Sequence, residues 1–199
     1  MDRDTVWRHV ENQRRELADL IEGLDTRGPQ VWGTPSLCAG WTVGNVAAHL
    51  THSTMGTPRM LWEAARSGFR FNAVVHRLAV SDRRSPAQIA TDLRAAAGSR
   101  RRPPGTTELE PLTDVLVHAQ DICIPLGIDR PMPVDAAAAA ADRVWTAGFP
   151  FHAQKRFTGT RLVATDTDFA VGAGRELAAP IATLLMLLTG RQVHGTSVR

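Results

Sequence analysis

Asp114 and His118 stand four residues apart in a stretch of helical periodicity, which stacks a carboxylate oxygen and an imidazole nitrogen on one face, one turn apart. An oxygen and a nitrogen so placed can bind one divalent ion. Helical bundles assemble metal sites from such inward pairs, completed by a ligand from a facing helix. His49, one turn past Val46 on the inner side of an earlier helix, is a natural third ligand. His52 is as eligible on spacing alone. Two imidazoles and a carboxylate suit Zn²⁺ and leave a fourth position for water or a thiolate, the feature that separates a catalytic site from a structural one. The plain alternative is an Asp-x-x-x-His pair that only makes an i, i+4 hydrogen bond. Asp121, three residues past His118, reads either as the partner that orients an imidazole or as an ordinary intrahelical hydrogen bonder.

Other candidates carry less chemistry. Cys38 and Cys123 are the only cysteines, fit neither a disulfide framework nor a cysteine-rich zinc module, and read as inert small hydrophobes. Gly172-Ala173-Gly174 lacks the third glycine and the βαβ surroundings of a dinucleotide fingerprint. Trp41 either packs under the start of the second helix or walls a pocket, and Arg191 reads as a solvated arginine.

The elements that must position these residues are mostly helices. Val6, Val10, Leu17, Leu20, Ile21 and Leu24 recur at three- and four-residue steps, which predicts an amphipathic helix over 4–24. A Gly-, Pro- and Ser-rich loop spans 28–40. Thr42 is a plausible N-cap for a second helix with Val43, Val46 and Leu50 inward, expected to run to about Ser67 with Gly56 and Pro58 as possible bends. Ser85, Pro86 and Gln88 form a capping box for a helix over 85–97. The stripe Leu112, Val115, Leu116, Ala119 and Ile122 gives the helix carrying Asp114 and His118, stopped by Pro125 and Gly127. An alanine-rich helix follows over 135–146. Two short strands are predicted over 161–164 and 169–171, joined by a turn, then a final helix over about 178–189. The sum is a mainly α chain: a bundle of about four helices over 1–150 and a small α/β appendage over 151–199.

Composition bounds what such a chain does. With 199 residues and 43% hydrophobic content it can bury a proper core. The N-terminus has no apolar signal core, and the most apolar stretch, 178–189, is well short of the roughly 20 residues a membrane span needs. The expected location is the reducing cytoplasm, without a membrane partner. The pI is near 9.6, but the net charge is only +3 and the basic runs at 83–84 and 100–102 lie in expected loops without interleaved aromatics, so no nucleic-acid partner is expected.

Two stretches carry a family resemblance: TPSLCAGWTVGNVAAHL (34–50) and PLTDVLVHAQDICIPLG (111–127). They resemble the signature segments of the mycothiol-dependent maleylpyruvate isomerase family, within the DinB-like metalloenzymes, and residues 161–191 resemble the small C-terminal domain of many members. The resemblance implies a DinB-like four-helix bundle with one divalent metal, Zn²⁺ by its donor set. The ligands it implies are the His of the first segment and the acid-x-x-x-His pair of the second, here His49, Asp114 and His118. It selects His49 over His52. The family's usual acid is Glu; Asp114 is shorter by one methylene, which would draw the ion towards its own helix or leave water between them.

The resemblance also implies mycothiol as thiol cosubstrate and a small electrophile as substrate, in an isomerase or S-transferase. The competing readings are a non-catalytic metal- or ligand-binding stress protein on the same bundle, and a metal-free structural bundle. A homodimer through an exposed apolar helix face is compatible with each.

Overall fold

The structure, a computed structural model, describes residues 1–52, 71–102 and 105–192. The chain divides into two compact units, Trp7–Asp129 and a second that joins Met1–Val6 to Arg130–Arg199. The rest of the helix expected to reach Ser67, with Gly56 and Pro58, lies outside the described residues.

Helix α1 (Arg3–Asp25) starts where the Asp2 carboxylate accepts the backbone N–H groups of Asp4 and Thr5, both at 3.0 Å. These satisfy two of the donors a helix start leaves open. A 3₁₀ turn (Pro29–Gly33) leads towards α2 (Val43–His52). Then come α3 (Phe71–Ser81), α4 (Pro86–Ala95) and α5 (Leu109–Cys123). The capping box of α4 forms as the sequence predicts, with Ser85 Oγ accepting from Gln88 N and Gln88 Oε1 from Ser85 N. Helix α5 runs into a 3₁₀ turn (Ile124–Leu126) and stops at Gly127, whose φ of 64° is open to glycine without strain.

Within the first unit, Leu17 and Ile21 of α1, Val46 and Leu50 of α2, Ile89 and Leu93 of α4, and Val115 and Ile122 of α5 belong to one buried cluster. Each fully buried side chain of this size contributes about 1.5–3 kcal/mol. Helix α2 lies at the centre of this packing, in contact with α3, α4 and α5. The helix that carries His49 is thus fixed by three neighbours.

In the second unit, α6 (Val134–Thr146) packs its alanine face on α8 (Ile181–Leu188). A short helix, α7 (Ala153–Arg156), precedes a three-stranded sheet of order β2–β1–β3. Strand β1 (Thr160–Ala164) pairs antiparallel with β2 (Ala170–Gly172) across the expected turn, and parallel with β3 (Arg175–Ala179), Leu162 opposite Leu177. The fold is mainly α, a helical bundle with a small α/β C-terminal part.

Three elements depart from expectation. Helix α3 and the short α7 have no counterpart among the predicted elements, and β3 occupies residues read as the approach to the last helix. Glu176, Leu177, Ala178 and Ala179 are good helix formers, but here they extend along β1, and Pro180 then caps α8, which begins at Ile181. Non-local pairing overrides local propensity. Among the described residues no helix is long and apolar enough to cross a membrane.

Gly172 ends β2 at φ 81°, and a Cβ there would sit 2.3 Å from the carbonyl oxygen of Thr160. Gly172→Ala is therefore expected to destabilise the second unit by at least about 2 kcal/mol. Gly148→Ala, where a Cβ meets nothing within 4 Å, should be nearly neutral. Denaturant unfolding of the two variants checks this; equal effects would refute it.

Candidate metal centre

The segment before α2 is folded on itself before it becomes helical. Pro35 and Thr42 form a β-bridge, Val43 N donates to Thr34 O (2.9 Å), and Ser36 N and Oγ both donate to Trp41 O (2.9 Å each). Leu37 N donates to the backbone oxygen of Asp121 (3.3 Å), tying this loop to α5. Helix α2 is capped reciprocally: Thr42 Oγ1 accepts from Asn45 N at 3.3 Å, and Asn45 Oδ1 accepts from Thr42 N at 3.1 Å. The Asn45 amide then donates to Ala79 O at the end of α3 (3.2 Å). Thr42 is thus the cap expected of it, and the register of α2 is set at its first turn.

From this register His49 faces α5. His49 Nε2 lies 3.3 Å from Asp114 Oδ1, and His118 Nε2 lies 3.5 Å from the same oxygen. One ligand atom from each of the three lies within 4.8 Å of the other two. Ligand atoms about 2.1 Å from a tetrahedral ion are about 3.4 Å apart, so the two carboxylate–imidazole separations match tetrahedral edges. Side-chain exposures of 15%, 26% and 13% for His49, Asp114 and His118 leave the cluster reachable from outside.

On the far side of the His118 ring, Nδ1 lies 2.7 Å from Asp121 Oδ2, and Asp121 is wholly buried. A neutral His118 donates its Nδ1–H to that carboxylate, so its Nε2 directs a lone pair at the oxygen of Asp114. A cation between the two, whether a metal ion or a proton on Nε2, makes that approach favourable. The two roles considered for Asp121 coincide here, since the intrahelical hydrogen bond is also the one that orients the ring.

Burial alone would raise the Asp114 carboxyl, but the charge and hydrogen bond of His49, the charge of His118 and the Arg14 guanidinium outweigh it and bring it down to about 2. Arg14 is 2% exposed, and its Nη1 donates to the carbonyls of Ala96 (3.3 Å), Ala97 (3.5 Å) and Ser99 (2.9 Å) just beyond α4. Burial lowers its pKa and Asp114 raises it. Arg14 was not among the sequence candidates. Its signal was a charge on the apolar stripe of α1, between Val10 and Leu17, where a solvated residue does not belong.

Trp41 packs at the start of α2, the first of the two roles considered for it. Its indole is 8% exposed, stacks on His118 (centroids 6.3 Å, planes 20° apart) and meets His49 edge-on (5.2 Å, 63°). His76, also absent from the sequence candidates, accepts the indole N–H at Nδ1 (2.8 Å). Cys38, read as a thiol without an activating partner, has Sγ within 4.8 Å of His118 and Asp121 ligand atoms, a second possible donor set. An ion there would compete with the 2.7 Å His118–Asp121 bond, so the His49 set is the better donor group. Neither Cys38 nor Cys123 takes part in a disulfide. Arg191, in the other unit, turns Nη1 onto the carbonyl of Thr189 (2.9 Å).

His52 is drawn elsewhere. Its Nε2 lies 3.3 Å from Asp82 and 3.3 Å from Arg84, and Arg84 also bonds Asp92 (2.6 Å). Beside this cluster a cavity of about 270 Å³ is lined by Trp32, Asn45, Ala48, Asp82, Arg84 and Ile89 among others, with none of the three converging residues in its wall. Burial first, then Arg84, lowers the His52 pKa to about 4 against the pull of Asp82, itself lowered to about 2 because its bonds to Arg84 outweigh burial.

Below the unfolded value near 6.5 the unfolded chain binds a proton that folded His52 refuses, so stability falls as pH drops from about 6.5 to 4. The shift corresponds to about 3 kcal/mol. Asp82 adds its own loss only below about pH 4. His52→Gln should flatten the slope between pH 6.5 and 4 in urea titrations, and an unchanged slope would show that another group carries it.

Comparison with known proteins yields one finding. The family model described as "Mycothiol maleylpyruvate isomerase N-terminal domain" matches residues 10–123, which include His49, Asp114 and His118. No curated protein and no solved structure matches the chain. The match spans more than half of the sequence and carries the resemblance seen in its two signature segments: the chain belongs to the mycothiol maleylpyruvate isomerase N-terminal domain family.

Proposed function

We propose that His49, Asp114 and His118 hold one divalent ion, Zn²⁺ by the chemistry of the donors, and that the protein uses it to activate a low-molecular-weight thiol. The observation that carries this reading is the pair of imidazole nitrogens at 3.3 and 3.5 Å from a single carboxylate oxygen, one of them with its other nitrogen already bonded to Asp121. An ion held there would lower the pKa of a bound thiol and keep it a thiolate nucleophile at neutral pH. Family membership supports mycothiol as that thiol, and a small electrophile as the acceptor, isomerised by reversible addition or conjugated by transfer. A thiol cosubstrate and two cysteines outside any disulfide accord with a reducing, cytoplasmic setting.

The chain's own residues have distinct tasks in this scheme. Asp121 fixes the tautomer and plane of His118. Arg14 keeps a positive charge near Asp114, which favours an anionic over a neutral partner at the open position. Asp114 needs no longer side chain to meet both imidazoles, since its Oδ1 already stands at tetrahedral-edge distances from each. That supports direct ligation in place of the family's usual Glu.

Purified protein is expected to carry about one Zn²⁺ per chain, and His49→Ala, His118→Ala or Asp114→Asn to weaken its retention by more than about tenfold. Thiol-dependent consumption of an electrophile, with mycothiol as the thiol, should stop on chelation and return on adding Zn²⁺. Wild-type protein that takes up no divalent metal would sink the proposal. Stoichiometric metal with no thiol chemistry would sink its catalytic half and leave a metal-holding protein.

A further inference from the structure

The indole of Trp41 touches both imidazoles of the proposed centre, and the two imidazoles meet each other edge to face (4.9 Å, 81°). Three rings therefore form one packed group, and the position of the indole limits how far either imidazole can turn. The backbone at Trp41 is pinned by Ser36 and by its own N–H to Cys38 O (3.0 Å), but that leaves the side-chain torsions open. What fixes the far end of the indole is the hydrogen bond to His76 on α3, 35 residues away.

Burial alone does not explain this bond. The indole nitrogens of Trp7 and Trp32 are also shielded from solvent and have no hydrogen-bond partner among the described residues, so an acceptor is not provided there for every buried indole. One is provided for the indole that lies on the two converging imidazoles. His76 is itself exposed and turns Nδ1 inward, which leaves a neutral ring with its proton on Nε2. His118 has Asp121 to hold it. For His49, the orienting contacts among the described residues are Asp114 and the rings of Trp41 and His118. His49 is thus the ligand that depends most on where the indole stands.

We propose that His76 is a positioning residue of the metal centre: it accepts the Trp41 N–H, and the indole so held presets the His49 and His118 rings before an ion arrives. This rests on the reading of His49, Asp114 and His118 as metal ligands. The physical gain is preorganisation, since ligands already in place lose less rotational freedom on binding. The bond ties α3 to the site, so an exposed residue far from the ligands in sequence contributes to their affinity. Residues that orient metal ligands typically change affinity by about 10- to 100-fold, and His76, acting through Trp41, belongs near the lower bound.

The test uses the full chain with His76→Ala, His76→Gln, Trp41→Phe and the double variant His76→Ala/Trp41→Phe. Zn²⁺ affinity is measured by competition with a chromophoric chelator, the visible spectrum of Co²⁺-loaded protein reports ligand geometry, and melting of metal-free protein monitors the fold. His76→Ala should weaken Zn²⁺ about tenfold and alter the Co²⁺ bands, with little change in metal-free melting. His76→Gln, whose amide oxygen can accept the indole N–H, should restore most of the affinity. Trp41→Phe, which keeps a ring but has no N–H, should match His76→Ala, and the double variant should add nothing further. Wild-type affinity in His76→Ala, a loss that Gln fails to restore, or losses that add in the double variant would each overturn the proposal. Wild-type protein that takes up no Zn²⁺ would overturn the metal reading and this one with it, whereas uptake unaffected by His76→Ala overturns this one alone.

Discussion

Two imidazole nitrogens converge on one carboxylate oxygen, and much of the first unit serves to hold them there. Helix α5 supplies Asp114 and His118 one turn apart, and Asp121 a further turn on withdraws one nitrogen of His118 from the competition. Helix α2 brings His49 across, in a register set by the Thr42–Asn45 cap and by the bond from Asn45 to the end of α3. Arg14 adds a positive charge from α1, anchored on carbonyls beyond α4. Each described helix of this unit therefore contributes to the cluster or to what anchors it. The apolar side chains of the same helices supply the free energy that keeps these polar groups together.

What could be read in the sequence was what sits within one element. Asp114, His118 and Asp121 share a helix, so their spacing foretells their geometry. The capping boxes of α2 and α4 and the antiparallel hairpin of β1 and β2 are equally local. His49 and His52 are a harder case. They lie three residues apart, about 60° around the helix, and which of them faces α5 depends on a helix rotation fixed by α3, α4 and α5 together. Family resemblance distinguished them; periodicity did not. The strand β3 was hidden because its residues favour helix and its partner β1 lies beyond the intervening β2 in sequence, reached by a crossover to the other edge of β1. His76 was invisible because an exposed histidine 35 residues from a tryptophan carries no local mark. Arg14 was visible in principle, as the one charge on a stripe of valines and leucines.

The two carboxylates of α5 show how environment divides labour between like groups. Asp121 is wholly enclosed and faces the inner nitrogen of His118, whereas Asp114 is a quarter exposed and faces the outer nitrogens of both rings. The enclosed one orients the ring, and the reachable one is the proposed ligand. Exchanging their roles would require an ion in the space beside Cys38, at the expense of the shortest contact in the cluster. His52 shows the complementary case: it lies on the same helix as His49, but held between Asp82 and Arg84 it belongs to the packing of the α3–α4 connection.

The approach of His49 to Asp114 also joins positions 65 residues apart in the chain. An ion gripping both would act as a removable cross-link between α2 and α5, closing a loop that spans α3, α4 and their connections. A covalent bridge of that span would remove about 4 kcal/mol of freedom from the unfolded chain. An ion grips less permanently, but its binding is coupled to folding in the same sense, because an unfolded chain offers no assembled site. The most chemically active point of the bundle would then be its principal clasp, and the affinity for the ion would include a measure of how well the whole unit is folded.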